Sequence, residues 1–476
     1  IDPTINPDGR DRHTHWANTY KGSPLVDDPQ DAEHNEYWPG GRTNHYWFDL
    51  NRDWLLAIHP ESRGKLNWYH TWYPNVTTDF HEMGSNSTYF FPPFKVNGSM
   101  DPVIPKENYD YFNFLFGSYY AKALDEIGTL YFTREVFDRT YPGYGSSYPD
   151  YLGGIGILFE QASSRGHKQK TQFGEITFPY TIRNQYISGI TTVKAAVENK
   201  ESLKEYQQNF FKSALSESSA NRVKGYSFKI NEDKNKTKAF LDKLLMHRIK
   251  VLKNGDNIFV PTEQKNYRLV RSFFETQEKY RDSVFYDASA WTIANFYDID
   301  YSSSNRKFSG DNLDSLDDLF EINSVEKSDY AYIIDSKDYN IPAVMYKLLD
   351  SKIVTSTSLK PFRIKTLNGD VNFDYGSLVI PVSVQKISSD KLYEKLKKVQ
   401  TRYNIDIHSV SSGLSSSGVD LGSGYVSVLT KPKAMMLIGT GVRSYEAGEV
   451  WHLLDQRVGM PITKIPIRNF DNISMD

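Results

Sequence analysis

Residues 75–82 read Asn75-Val76-Thr77-Thr78-Asp79-Phe80-His81-Glu82, and residues 155–160 read Ile155-Gly156-Ile157-Leu158-Phe159-Glu160. Both read as strands, and each closes on a group that can move a proton or bind a metal: an imidazole in one, a carboxyl in the other. The carboxyl ends of strands are where α/β sheets place their sites. A histidine closing a strand is by itself more often an ordinary core or surface residue, so the company it keeps has to decide.

That company lies upstream. Asn6-Pro7-Asp8-Gly9 is good turn chemistry, since Pro sets φ and Asp-Gly tolerates a tight corner. Asp49-Leu50-Asn51-Arg52 places an amide beside a guanidinium, whose planar fork fits a carboxylate through two parallel hydrogen bonds that Lys cannot supply.

Bulk properties narrow the classes. A chain of 476 residues exceeds one ordinary core, so two or three domains are expected. A net charge of −3 gives no field that favours nucleic acid or an anionic membrane. The absence of cysteine removes disulfides, thiol nucleophiles and thiolate metal sites. No apolar run approaches the roughly 20 residues that span a bilayer. Aromatics reach 14%, crowded before residue 151; a groove for peptides or sugars is one reading, and an aromatic core is the commoner one.

Pattern divides the chain into an α/β domain over 1–215, a small α+β module over 216–305, a polar acidic linker over 306–328 and a second α/β domain over 329–476. The module's hairpin turns at Asn254-Gly255. In the last domain, strands at 330–334, 377–382 and 435–439 alternate with helices at 341–349, 391–403 and 445–456. That order predicts a parallel, doubly wound sheet.

Taken together and in this order, the four segments resemble the zinc carboxypeptidase family, the carboxypeptidase A-like metallopeptidases, over residues 1 to about 200. The resemblance implies a mixed-sheet catalytic domain holding Zn²⁺. His81 would be one zinc ligand and Glu160 the general base and acid. Asn51 and Arg52 would grip the substrate's terminal carboxylate, and Asp49 would orient a zinc-bound imidazole. Tyr141 would cover the bound end group, with Tyr144 and Tyr148 close enough in sequence to compete for that role.

Three departures accompany it. None of the 11 histidines stands in a His-x-x-Glu motif, which carries the family's first two zinc ligands upstream of the Asn6–Gly9 segment. The expectation is a domain lacking its N-terminal part and inactive alone. The family's carbonyl-polarising arginine follows a tryptophan, but Trp16 is followed by Ala17, leaving Arg12 or Arg10 as the candidates. Glu82 directly after His81 is more frequent in zinc amide hydrolases that deacylate amino acids.

The stretch from about 330, and Gly439–Pro461 above all, resembles the class I glutamine amidotransferase-like, flavodoxin-type fold. Without cysteine it would be non-catalytic. The expected function is a periplasmic or secreted zinc metallocarboxypeptidase acting on peptides with a free C-terminus. A zinc deacylase of acylated amino acids, or a non-catalytic peptide- or glycan-binding protein, is the alternative.

Overall fold

The computed structural model describes residues 1–95, 101–230, 233–276, 292–317 and 319–473. The chain forms two compact units: residues 1–229 with 243–314, and residues 230–242 with 315–476. The passage to the second unit at 315 falls inside the stretch read as a linker, and most of 216–305 belongs to the first unit.

The first unit opens with α1 (Pro7–Tyr20). The Asn6–Gly9 segment, expected as a turn, instead starts this helix. The Asn6 side chain accepts from the Gly9 amide at 3.0 Å, and Pro7 occupies the first helical position, where its missing N–H costs nothing. Then come α2 (Pro60–Trp72), β1 (Val76–Met83), β2 (Tyr89–Phe90), α3 (Asn113–Glu126) and β3 (Ile155–Ala162). A hairpin of β4 (Lys168–Thr171) and β5 (Gly174–Thr177) leads to α4 (Phe178–Glu198) and α5 (Lys200–Ala220).

The sheet order is β1-β3-β2, with β1 parallel and β2 antiparallel to β3. It is a mixed sheet. Central β3 is buried at every position except Glu160. Ile155, Ile157 and Phe159 pack with Phe116, Tyr120 and Leu124 of α3 and with Leu203, Tyr206 and Phe210 of α5. An otherwise buried central strand thus presents one half-buried carboxyl group near its C-terminal end.

The chain continues through β6 (Gly225–Lys229), α6 (Lys234–Met246), β7 (Leu252–Asn254), β8 (Asn257–Pro261), α7 (Tyr267–Phe274), α8 (Ile293–Phe296), β9 (Tyr301–Ser304) and β10 (Asp311–Asn312). The five strands form an antiparallel sheet in the order β10-β7-β8-β6-β9. Gly255 supplies the positive φ (58°) of the β7–β8 turn. Beyond α6, His247 is fully buried and its Nε2 lies 2.6 Å from the Leu55 carbonyl. A carbonyl only accepts, so Nε2 carries the proton and Nδ1 accepts from the Tyr148 hydroxyl at 2.7 Å.

The second unit contains β11 (Ala331–Ile334), α9 (Ile341–Asp350), β12 (Ser356–Ser358), β13 (Phe362–Thr366), β14 (Gly369–Phe373), β15 (Leu378–Pro381), α10 (Ser389–Tyr403), β16 (His408–Val410), β17 (Ser417–Gly418), β18 (Val426–Val428), β19 (Ala434–Ile438), α11 (Ser444–His452) and β20 (Ile462–Pro466). The expected parallel, flavodoxin-like sheet does not form. In the order β16-β11-β15-β12-β18 every ladder is antiparallel. The β13–β14 hairpin reverses the chain between β12 and β15, so the crossover through α9 and the crossover through α10 run in opposite directions and interleave. Among the described residues of this unit, parallel pairing is confined to β19 and β20 on either side of α11.

Candidate active site

The parallel register sets His81 directly opposite Glu160. Because strand side chains alternate faces, Asp79 shares the face of His81, and its Oδ2 lies 2.8 Å from His81 Nε2. This is a charge contact rather than a directed hydrogen bond, since Asp79 Oδ2 has no hydrogen-bond partner among the described residues. The Asn51 amide nitrogen also lies 3.1 Å from Nε2. The Gly145 amide donates to Asn51 Oδ1 at 2.7 Å and fixes which way that amide points, so Asn51 Nδ2 is the donor facing Nε2 and bonds it when that nitrogen is bare. On the other side of the ring, Arg42 Nη1 stands 3.5 Å from Nδ1. Gly145 is required here, since a methyl on it would stand 2.6 Å from Asp79 Oδ2.

Charge follows from these contacts. Burial lifts the Glu160 carboxyl to about 7, against the pull of His81 and Arg42, with Asp79 and Glu82 adding to the rise. Burial alone would lower His81, but Asp79 overrides it and raises the imidazole above its ordinary value. Asp79 itself is held below the usual carboxylate range: burial opposes this, and His81 and Lys65 outweigh it.

Asp49 does not touch His81; the carboxylate on the imidazole is Asp79. Asp49 Oδ2 accepts from Arg42 Nε (3.1 Å) and Nη2 (2.9 Å), and Arg52 Nη1 lies 3.7 Å away. Its Oδ1 accepts from the Asn51 amide at 2.9 Å. One carboxylate therefore holds two guanidiniums and the Asn51 backbone in a single short turn.

Arg52 is 41% exposed, with its guanidinium over the Tyr144 ring at 4.5 Å. Tyr141 is buried, and its hydroxyl donates to the Arg52 carbonyl at 3.2 Å. Tyr148 is fully buried against His70 and His247, so the aromatic ring that meets the Arg52 guanidinium is Tyr144.

Arg12 is spent elsewhere. It donates to the carbonyls of Gly40 and Asn44 and to Thr43, and so props up the 40–44 loop. Arg10 pairs with Asp11 on the surface. The arginine brought to His81 is Arg42, on that same loop. Asn6 donates to the Arg42 carbonyl at 3.1 Å, and a methyl at Gly9 would overlap the Gly41 carbonyl. The Asn6–Gly9 segment therefore serves as the seat of Arg42. Sequence reading passed over both Arg42 and Asp79. The signal for Asp79 was its two-residue spacing from His81 on one strand.

No protein-family model matches the chain, nor does any curated protein or solved structure.

The implied zinc can be tested on His81. A metal-bound histidine needs one bare ring nitrogen and a partner that orients the other; here Asp79 stands 2.8 Å from Nε2, and Arg42 Nη1 faces Nδ1 at 3.5 Å. His81 and Asp79 fit one corner of such a site. Among the described residues no three His, Cys, Asp or Glu side chains gather as a metal site, so one corner is all that these residues make up. No helix of the described residues is long and apolar enough to cross a membrane.

Proposed function

We propose that this site hydrolyses the C-terminal peptide bond of peptides with a free terminal carboxylate, with His81 as one ligand of a zinc ion. The observation that carries the reading is the convergence on one imidazole of Glu160 by register, of Asp79 and Asn51 by contact, and of Arg42 from the opposite side. Zinc, when bound, would supply Lewis acidity and an attacking water of lowered pKa.

The chain's own residues supply the rest. Glu160, poised near neutrality, takes a proton from the attacking water and returns it to the leaving amine. Arg52 and Asn51 offer a guanidinium and an amide to the terminal carboxylate. Tyr144, lying on the Arg52 guanidinium, limits its swing. Arg42, rather than Arg12, is the guanidinium set to stabilise the negative charge that builds on the scissile carbonyl oxygen. Asp49 anchors both arginines beside the site. The reading keeps the enzyme in the periplasmic or secreted class expected from the resemblance, with peptides as partners.

The test is calorimetric binding of an N-acylated dipeptide ending in phenylalanine, with its C-terminal amide as control. Preference for the free acid, lost in Arg52→Ala, is the expected result. Equal binding of acid and amide would sink the reading.

A further inference from the structure

The main sheet of the second unit has two unlike faces. On one, Tyr332, Ile334 and Ile380 pack with Leu348 of α9 and Leu396 of α10. On the other, Ile333 and Val379 meet Phe362, Phe373 and Leu421. Over β12 this second cover is incomplete. Ser356 stands opposite Val379 in the ladder and so shares its face. There a cavity of about 240 Å³ remains, with Val379 on its sheet side and Leu421 and Gly422 on its loop side.

Ser356 lines this cavity and is only 5% exposed, yet its hydroxyl has no hydrogen-bond partner among the described residues. Ser358, two residues on, is fully buried, and its hydroxyl donates to the Lys360 carbonyl at 2.6 Å. A buried hydroxyl left unpaired costs free energy, so a serine at this inward strand position calls for a partner from within the cavity.

The loop side gives an independent observation. Residues 411–424 read Ser-Ser-Gly-Leu-Ser-Ser-Ser-Gly-Val-Asp-Leu-Gly-Ser-Gly. They fold back on themselves: the Leu421 amide donates to the Gly413 carbonyl at 3.0 Å, and the Ser415 amide to Asp420 at 2.8 Å. Gly413 is dictated by packing, since a methyl there would overlap the Tyr330 hydroxyl. Gly422 is not. Its φ lies outside the left-handed region, and a methyl on it meets nothing within 4 Å. A glycine on a cavity wall that its own chain does not require leaves room for a ligand to approach the backbone.

The lining selects the class of ligand. No charged side chain takes part, so an ion would lose its hydration there without compensation. Ser356, Ser383 and Ser423 stand beside Val379, Leu421 and Val426. Hydroxyls against an apolar wall match a pyranose, which carries hydroxyls on its rim and C–H bonds on its face. The volume falls below the roughly 300–1,000 Å³ of pockets for drug-sized ligands, so one ring fits and a longer glycan would project out. We propose that this cavity binds a single neutral sugar ring, with Ser356 bonding one of its hydroxyls and Gly422 making room for the ring.

The experiment is saturation-transfer NMR on the full chain with methyl β-glucoside, methyl β-galactoside and methyl α-mannoside, and with glucuronic acid as the charged control. Transfer to the ring protons of at least one glycoside is expected, with transfer to the acid weaker by about tenfold. Gly422→Leu should abolish transfer by filling the cavity, and should hold the melting temperature within about 2 °C because the new side chain enters open space. Ser356→Ala should weaken binding of that glycoside about tenfold without lowering the melting temperature, since the free protein offers the hydroxyl no partner. Transfer to no glycoside overturns the proposal and makes the cavity a water-filled crevice. Equal transfer to the acid, binding that survives Gly422→Leu, or unchanged affinity in Ser356→Ala overturns it as well. So does a large fall in melting temperature in Gly422→Leu, which would mean that the wall is packed against the chain. None of these readouts involves hydrolysis, so the outcome is independent of the function proposed above.

Discussion

Asp79 and His81 stand two residues apart on one strand and meet at 2.8 Å, so the imidazole carries its own orienting carboxylate on the same rigid element. Nothing in a loop has to move to set that geometry. The parallel ladder then fixes where Glu160 stands relative to both.

Glu160 carries a stability cost that pH reveals. Its folded value, about 7, lies above its ordinary 4.5, so the folded state holds this proton more tightly than the unfolded chain does. The group's contribution is complete below about pH 4.5 and is lost as pH rises through 7. In chelator-treated protein, Glu160→Gln should match the parent near pH 4.5 and exceed it by about 3 kcal/mol near pH 8.5. Urea unfolding at the two pH values measures this; an equal difference at both would refute the assigned shift.

Arg52→Ala should weaken binding of a free-acid dipeptide by about 2 kcal/mol, less than for a fully buried pair because this guanidinium is 41% exposed. Arg52→Lys should recover less than half of that loss, since it restores charge without the fork. Full recovery by lysine would mean that only charge matters.

Gly9→Ala should act at a distance. The added methyl pushes on the Gly41 carbonyl and displaces Arg42, with a stability loss of about 1–3 kcal/mol. If the ¹⁵N-labelled imidazole of His81 shows an unchanged spectrum in this variant, the seat assigned to Arg42 is wrong.

Phe159→Ala removes a fully buried ring from the centre of the first unit's core. A loss of about 3–5 kcal/mol in chemical denaturation is expected, and a loss under 1 would contradict that packing.

What the sequence made legible follows a simple physical division. β1 and β3 were readable because each is a compact β-prone run, and the β7–β8 hairpin because Asn254-Gly255 demands its turn. Pairing partners and directions were not readable. The helices at 341–350 and 389–403 have strong local signals, yet whether their crossovers interleave depends on the β13–β14 hairpin and on contacts distant in sequence. At the site, His81 and Glu160 could be named because each follows a β-prone run, although β1 and β3 continue two residues past them. Arg42 could not, since its place depends on Asn6 and on the opening of α1 more than 30 residues earlier. Arg12 was attractive for its nearness to that motif, and its three carbonyl acceptors become visible only when the 40–44 loop is folded.

The Tyr148–His247–Leu55 chain bears on how this protein can be cut. A clone ended after α5, where the composition invites a boundary, would discard His247 and leave the Leu55 carbonyl and the Tyr148 hydroxyl without their shared imidazole. Leu55 sits three residues past Arg52, so such a minimal fragment would be compromised in the very turn it was made to isolate.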